Sequence, residues 1–477
     1  MSIQNMVVSI ALLAALAWPP AWVDAATPDA GGPAEGSYVV LLDKPAQVIW
    51  GLGFEIQSDS IGSANKGLPD KVVAVPNNLV PEERARFYHD MLKGFRYCRL
   101  AMGLYLRGLD AEEKHVIERY PDQMKDLAEM QKESGIEGFE PEYWSPTPYW
   151  KSNDSYIKGT LKSFDDAFLG TFADALVQDV RYLEDHGLNV VQWGLQNEPV
   201  ASTPYSSCVY SPDQYCRTFK AAAPKIKAAF PKVLIQATSW DGQGGKYGSV
   251  LQADPDALKY VDAWTWHRIG ASSNQQIDEA AIFNANTHGR PVFNNEFEYL
   301  DNKTSDDRFV NTAQSILNWM VFVDSPTWFW LHALKPSYNA EASGYSLGFW
   351  RPQDDDDMTH FPTIQKGHWD YNPQNFNAIA GFLRHMPWDS RRINVREDQV
   401  RRSQRIMAYK TPEGKLTIVV TNRSKEPFTF HIDTGLDATF AGYRYTSSER
   451  DVPVGKAQGK VIAPTLVGQS IEFWAQE

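Results

Sequence analysis

Apolar positions along this chain follow two regimes. Between about residues 46 and 388, short runs of β-branched and aromatic residues alternate with stretches in which apolar residues recur every three to four positions. The first pattern predicts buried strands and the second amphipathic helices. The clearest helix is carried by Phe164, Phe168, Phe172, Leu176, Val180 and Leu183, with Gly187 as its stop. A strand over 190–194 follows it. The unit then repeats as helix 212–229, strand 233–237, helix 254–259, strand 261–266, helix 277–286, strand 291–295, helix 306–322 and strand 327–331. Upstream, strand-like segments at 37–42 and 46–50 lead into Gly51-Leu52-Gly53-Phe54-Glu55, the first barrel strand. A helix over 81–92 precedes a strand over 94–100, and 136–143 leads into an aromatic loop. Strands that alternate with helices imply a parallel sheet, and about eight such units over ~330 residues fit a closed (β/α)₈ TIM barrel.

The second regime begins near Asp389, after a last helix over 375–384. Short alternating strands such as Leu416-Thr417-Ile418-Val419-Val420 and Phe428-Thr429-Phe430-His431-Ile432 are separated by turns like Thr411-Pro412-Glu413-Gly414. This predicts an appended C-terminal β-sandwich over 389–477. The barrel is assigned 46–388, and 27–45 is a linker with N-terminal strands. Residues 1–26 hold an apolar run, Pro19-Pro20 and the small-residue site Ala25-Ala26, and read as a secretory signal peptide without a basic start. The expected location is therefore secreted, periplasmic or on the cell surface, with no membrane contact after processing.

A formal charge of −13 with no basic run argues against nucleic acid and anionic membranes as partners. The run Asp354-Asp355-Asp356-Asp357 reads as a solvated loop. Of three cysteines, Cys98 lies in an apolar run and reads as a buried thiol, while Cys208 and Cys216 share one loop and could pair after export. No metal-ligand spacing occurs, and neither metal nor cofactor is expected. The aromatic share of 13 %, with sixteen Trp, suits either large cores or a cleft in which rings stack on sugars.

Two strands end in carboxylates. Val190-Val191-Gln192-Trp193-Gly194-Leu195-Gln196-Asn197-Glu198-Pro199 runs into an Asn-Glu-Pro stop, and Pro291-Val292-Phe293-Asn294-Asn295-Glu296 ends similarly. Catalytic groups of a (β/α)₈ barrel sit at the C-terminal strand ends. Two carboxyls there suit glycosidic bond cleavage, with one protonating the leaving oxygen and the other attacking the anomeric carbon. Glu198 is the expected acid/base, with an upward-shifted carboxyl, and Asn197 the expected donor to a sugar hydroxyl. Glu296 is preferred to Glu298 as nucleophile because it comes first after the apolar run. Arg99 is a charge in an apolar strand and needs a partner, either structural or catalytic.

These motifs resemble glycoside hydrolase family 30, a family of retaining (β/α)₈ hydrolases that includes glucosylceramidases, β-1,6-glucanases and glucuronoxylanases. The resemblance rests on Gly51-Leu52-Gly53 with Asp59, on Trp144-Ser145-Pro146-Thr147-Pro148-Tyr149-Trp150-Lys151, on Gln196-Asn197-Glu198-Pro199 and on 375–392. It implies Glu198 as acid/base, Glu296 as nucleophile, Asp59 and Trp144 as sugar contacts, Arg99 as the residue holding the nucleophile and Trp330 as the subsite floor. Trp150, Trp240 and His267 join the substrate-binding set. The chain departs from the family where His267 is followed by Arg268 and Ile269, where Leu331 replaces an Asn, and at Asn294-Asn295. His332 reads equally as a polar substitute or a packed core residue. The expected activity is a secreted, monomeric, retaining β-glycosidase acting on a β-linked glycan, endo-acting on polysaccharide. The alternatives are a glucosylceramidase-like exo enzyme and a catalytically silent glycan-binding protein. Arg351, in the loop over 344–366, is a candidate for recognising an acidic sugar.

Overall fold

The computed structural model describes residues 32–56, 79–103, 118, 120–241, 246–285, 287–299, 306–336, 346–353 and 363–477. The expected signal peptide, Asp59 and the Asp354–Asp357 run lie outside the described residues. The chain enters on β1 (Ala34–Ile49), one continuous strand where two were expected, with register shifts around Pro45. Eight strands then close a barrel in chain order. They are β2 (Gly51–Glu55), β3 (Phe95–Met102), β4 (Gly138–Tyr143), β5 (Gln192–Gly194), β6 (Leu234–Asp241), β7 (Ala263–His267), β8 (Val292–Phe297) and β9 (Thr327–Trp330). Every neighbouring pair is parallel, and β2 against β9 closes the circle.

The helices between strands follow their local signals. Asp165 accepts from Phe168 N at the start of helix Asp166–Asp185. Ser211 and Gln214 form a capping box ahead of Pro212–Ala229. Departures from expectation occur, among them a helix over Gln123–Ser134 where none was expected. The helix beginning at Pro81 is α-helical only to Arg86 and widens into a π turn over Phe87–Met91. Helix Lys246–Ala253 had no clear periodic signal. Beyond the barrel, β10 (His332–Pro336), β11 (Ser346–Trp350) and β12 (Trp369–Tyr371) form a small separate sheet.

The C-terminal region contains β13 (Ser390–Glu397), β14 (Gln404–Lys410), β15 (Leu416–Asn422), β16 (Phe428–Tyr445), β17 (Val452–Ile462), β18 (Thr465–Leu466) and β19 (Ser470–Gln476). Strand β1 joins it, antiparallel to β13 and parallel to β16. Alternate residues such as Tyr38, Ile406, Ile418, Val420, Phe430 and Ile432 fill its core. Helix Pro373–His385 couples the two regions, with the Phe382 ring edge-on to Phe473 at 5.2 Å. Among the described residues, no helix is long and apolar enough to cross a membrane.

Candidate active site

Arg99 is fully buried on β3 and stands at the centre of the barrel's polar layer. Its Nη1 donates to Glu296 Oε2 at 2.6 Å and to Glu55 Oε2 at 3.0 Å. Its Nε donates to Glu142 Oε2 at 3.0 Å, and Nη2 reaches the same oxygen and Asn197 Oδ1 at 2.7 Å. The Trp144 ring lies 4.4 Å from the guanidinium carbon, a cation–π contact in a water-poor setting. A guanidinium can serve several carboxylates because its five N–H groups fan out in one plane.

A bulge in β8 sets the phase that matters most. On β7, Trp266 pairs with Asn294 and the next residue, His267, pairs with Glu296. The extra residue on β8 is Asn295. Without it, consecutive side chains would point to opposite faces. With it, Asn295 and Glu296 both reach polar-layer partners. Asn295 Nδ2 donates to Ser239 Oγ at 3.1 Å and lies 3.4 Å from Glu142 Oε2. Glu298 lies past the strand and is held by His332 Nδ1 at 2.5 Å. Burial, Lys335 and Arg99 keep the His332 imidazole well below its usual range, so it faces Glu298 as a neutral ring. The two glutamates therefore have different partners, Arg99 for Glu296 and His332 for Glu298.

Glu198 lies four residues beyond the end of β5. Its backbone is left-handed (φ 42°) and its N–H donates to Ser239 O at 2.8 Å. Ser239 is left-handed as well (φ 38°) and sits in a bulge of β6. Such conformations cost on the order of 1–3 kcal/mol each in non-glycine residues, and active sites are where they collect. His267 Nδ1 lies 2.9 Å from Glu198 Oε1, and its Nε2 is 3.5 Å from Glu296 Oε2. Burial pushes the Glu198 carboxyl up, but the His267 hydrogen bond and charge, with the Arg99 charge, bring it below its ordinary value. The opposite shift was expected from the negative companion alone. Burial pushes His267 down, and the Glu296 and Glu198 carboxylates more than reverse this. The proton of the pair thus rests on the imidazole, which faces both carboxylates.

Ligand atoms of Glu198, His267 and Glu296 all lie within 4.8 Å of one another. That donor set could reach a divalent cation. Arg99 already supplies a fixed positive charge at Glu296 Oε2, and His267 supplies another, so the set fits a carboxylate pair with built-in cations better.

Several expected sugar contacts are packed inside instead. Trp150 is buried against Phe172 and Phe168 of helix Asp166–Asp185. Trp330, expected as the subsite floor, has no accessible surface and packs among Phe297, Tyr299 and Trp328. Arg351 is buried and donates to Ile364 O at 3.3 Å, so it offers no exposed charge to an acidic sugar. The backbone of Trp240 lies in β6 beside Trp266. Cys208 and Cys216 are separate, buried free thiols, the second on helix Pro212–Ala229.

Other residues were not singled out from the sequence. Glu55, Glu140 and Glu142 are fully buried around Arg99. The signal lay in Glu140-Pro141-Glu142, whose spacing puts both acids on one face of a strand. Tyr205, two-fifths exposed on the loop after Glu198, has its phenol raised to about 12 by burial and by Glu198, Glu296 and Glu298.

Comparison with known proteins places this architecture. Residues 389–450 match the Glycosyl hydrolase family 30 beta sandwich domain. Solved structures superpose over nearly the whole chain. The catalytic domain of GH30 xylanase C from Talaromyces cellulolyticus covers 92 % of this chain and all of its own (TM-score 0.66, 15 % identity). This is the family 30 fold. A conserved exported protein from Bacteroides fragilis shares it, covering 92 % of this chain and all of its own (TM-score 0.73, 13 % identity). So does the endo-β1,6-glucanase BT3312, over 92 % of this chain and 93 % of its own (TM-score 0.67, 14 % identity). No curated protein matches the chain by sequence. The chain thus shares the family 30 architecture with these structures at 13–15 % identity.

Proposed function

We propose that this chain is a retaining β-glycosidase, with Glu296 as nucleophile and Glu198 as acid/base, acting on a β-linked glycan outside the cytoplasm. The observation that carries the reading is the separation of the two carboxylates, whose oxygens approach within 4.8 Å. Retaining enzymes hold these groups about 5 Å apart, whereas inverting enzymes leave about 6.5–9.5 Å for a water. Glu296 Oε2 is occupied by Arg99. Oε1 has no hydrogen-bond partner among the described residues and is the oxygen that attacks. The anomeric carbon forms a bond to Oε1 as its bond to the leaving oxygen breaks, and Glu198 protonates that oxygen.

In the empty site His267 holds the proton that Glu198 must deliver. A leaving oxygen seated against Glu198 draws it across the 2.9 Å contact. Water then attacks the glycosyl-enzyme ester, with Glu198 as base. Endo action on polysaccharide is the preferred mode, in line with the structural likeness to a xylanase and an endo-β1,6-glucanase. The test is peptide mass spectrometry after incubation with 2-deoxy-2-fluoro-β-glycosides of glucose, galactose, xylose and fucose. A label on Glu296 supports the reading. A label on Glu298 overturns the assignment. No label, together with no release of reducing ends from a polysaccharide panel, overturns the enzyme.

A further inference from the structure

Beneath the proposed catalytic pair lies a second carboxyl pair that the reaction does not use directly. Glu140 and Glu142 stand two residues apart on β4, both without accessible surface to speak of. Glu142 takes two donors from Arg99. Glu140 takes none: its nearest guanidinium nitrogen, Nε, is 3.9 Å from Oε1. It accepts instead from neutral amides, Gln236 Nε2 and Asn295 Nδ2, the latter at 3.5 Å. Its Oε2 is buried and has no hydrogen-bond partner among the described residues. Room for the pair is made by Gly194 on β5. A Cβ there would fall 2.6 Å from Glu142 Oε1 and 2.9 Å from Gln236 Nε2.

A carboxylate buried in this manner, with a like charge two residues away, only amides as hydrogen-bond donors and a guanidinium no closer than 3.9 Å, is expensive to ionise. A carboxylic acid in the same place costs far less. We propose that Glu140 is the seat of a buried proton and acts as a positioning residue: by staying neutral it leaves the whole Arg99 guanidinium to Glu142, Glu55 and Glu296. Were Glu140 to ionise, a further anion would draw the guanidinium toward β4 and loosen the 2.6 Å contact that fixes Glu296. Every element packed around it bears on this charge state. Strand β4 supplies Glu142, β3 supplies Arg99 with Tyr97 and Cys98 within electrostatic reach, β2 supplies Glu55, β8 supplies Asn295 and Glu296, and β6 supplies Gln236. Burial raises the Glu140 carboxyl most. Arg99 opposes this, Glu142 adds to it, and the result stands at about 8.

The role of the proton rests on Glu296 being the nucleophile, but its presence can be read without any substrate. Difference infrared spectra of the full chain, wild type minus Glu140→Gln, should contain a carboxylic-acid carbonyl band at pH 6 that fades with a midpoint near 8. Glu142→Gln removes the neighbouring charge and should lower that midpoint, and it serves if Glu140→Gln does not fold. The proton is also linked to stability. Because folding raises this carboxyl from 4.5, it contributes stability at acid pH that is lost as pH rises toward 8. The thermal midpoint of the wild type should therefore fall more steeply between pH 5 and 8 than that of Glu140→Gln. A full-intensity acid band in Glu140→Gln, or an unchanged midpoint in Glu142→Gln, overturns the proposal. Failure of Glu296 to take a fluoroglycoside label would strike the glycosidase reading and leave the infrared outcome standing.

Discussion

The lumen of this barrel is built in two layers that share their strands and differ in everything else. The lower layer is apolar. Tyr97 of β3 stacks on Phe329 of β9 at 6.0 Å, Phe293 of β8 stacks on the same ring at 5.9 Å, and Trp50 meets Phe293 edge-on. Two residues further along the same strands stand Arg99 and Asn295, joined by Glu140, Glu142, Gln236 and Thr265. Each layer depends on an inward glycine. A Cβ on Gly53 would sit 2.2 Å from the Phe329 ring, and one on Gly194 would meet Glu142. The difference teaches where the fold stores stability and where it accepts cost. Aromatic rings gain from burial without conditions, whereas buried charges gain only while every partner is in place.

The sharpest way to break the comparison is Arg99→Leu. It leaves Glu142 and Glu296 without the guanidinium that both hydrogen-bond, and should cost about 3–5 kcal/mol in urea unfolding, with glycoside hydrolysis abolished. Next is His267→Gln. Loss of the imidazolium should cut kcat by about 10²-fold, near 2.7 kcal/mol. It removes the imidazolium that stores the proton Glu198 delivers, so the alkaline limb of the pH–rate profile, set by that imidazolium in the wild type, should move to lower pH, toward the carboxyl range. The two glycines separate the layers directly. Gly53→Ala drives a methyl into a rigid ring and should cost about 2–3 kcal/mol in unfolding while turnover per folded molecule is kept. Gly194→Ala meets the ends of two flexible side chains, so about 1 kcal/mol is expected, with a larger loss in kcat than in stability.

The smallest effect lies outside the barrel. Arg401 holds the half-exposed Asp398 carboxyl at about 2 against an ordinary 3.8. A depressed carboxyl contributes stability above the higher value that is lost as pH falls toward the lower one. Asp398→Asn should therefore lower the thermal midpoint only slightly at pH 7, by about 1 °C, and not at all at pH 2.

The strand–helix alternation was legible in the sequence because apolar period alone specifies it. So were Arg99, Asn197, Glu198 and Glu296, as polar residues in or ending apolar strands. Glu140 and Glu142 were passed over because Gly-Phe-Glu-Pro-Glu-Tyr, with its proline, resembles a polar loop. A parallel strand buried on both faces turns that same alternation into a lumen-facing acid pair. The phase of β8 was hidden for another reason. A bulge is a tertiary accommodation with no dedicated residue signature, and Asn295 carries none. Trp150 and Trp330 were expected as sugar contacts from the family resemblance, and a matched motif does not tell a stacked ligand from a packed neighbour such as those that bury both rings here.

Strand β1 has one further consequence. The first strand among the described residues lies between β13 and β16, so the entire barrel is threaded between a strand and its partners. As the chain is made, β1 emerges with its edges bare and must wait for nearly everything else before either edge is covered. The sandwich therefore closes last, like a clasp over a barrel that β2 and β9 have already joined. A chain cut anywhere between β12 and β16 would be left with an open strand in search of a partner, which is a hazard of aggregation before it is a loss of function.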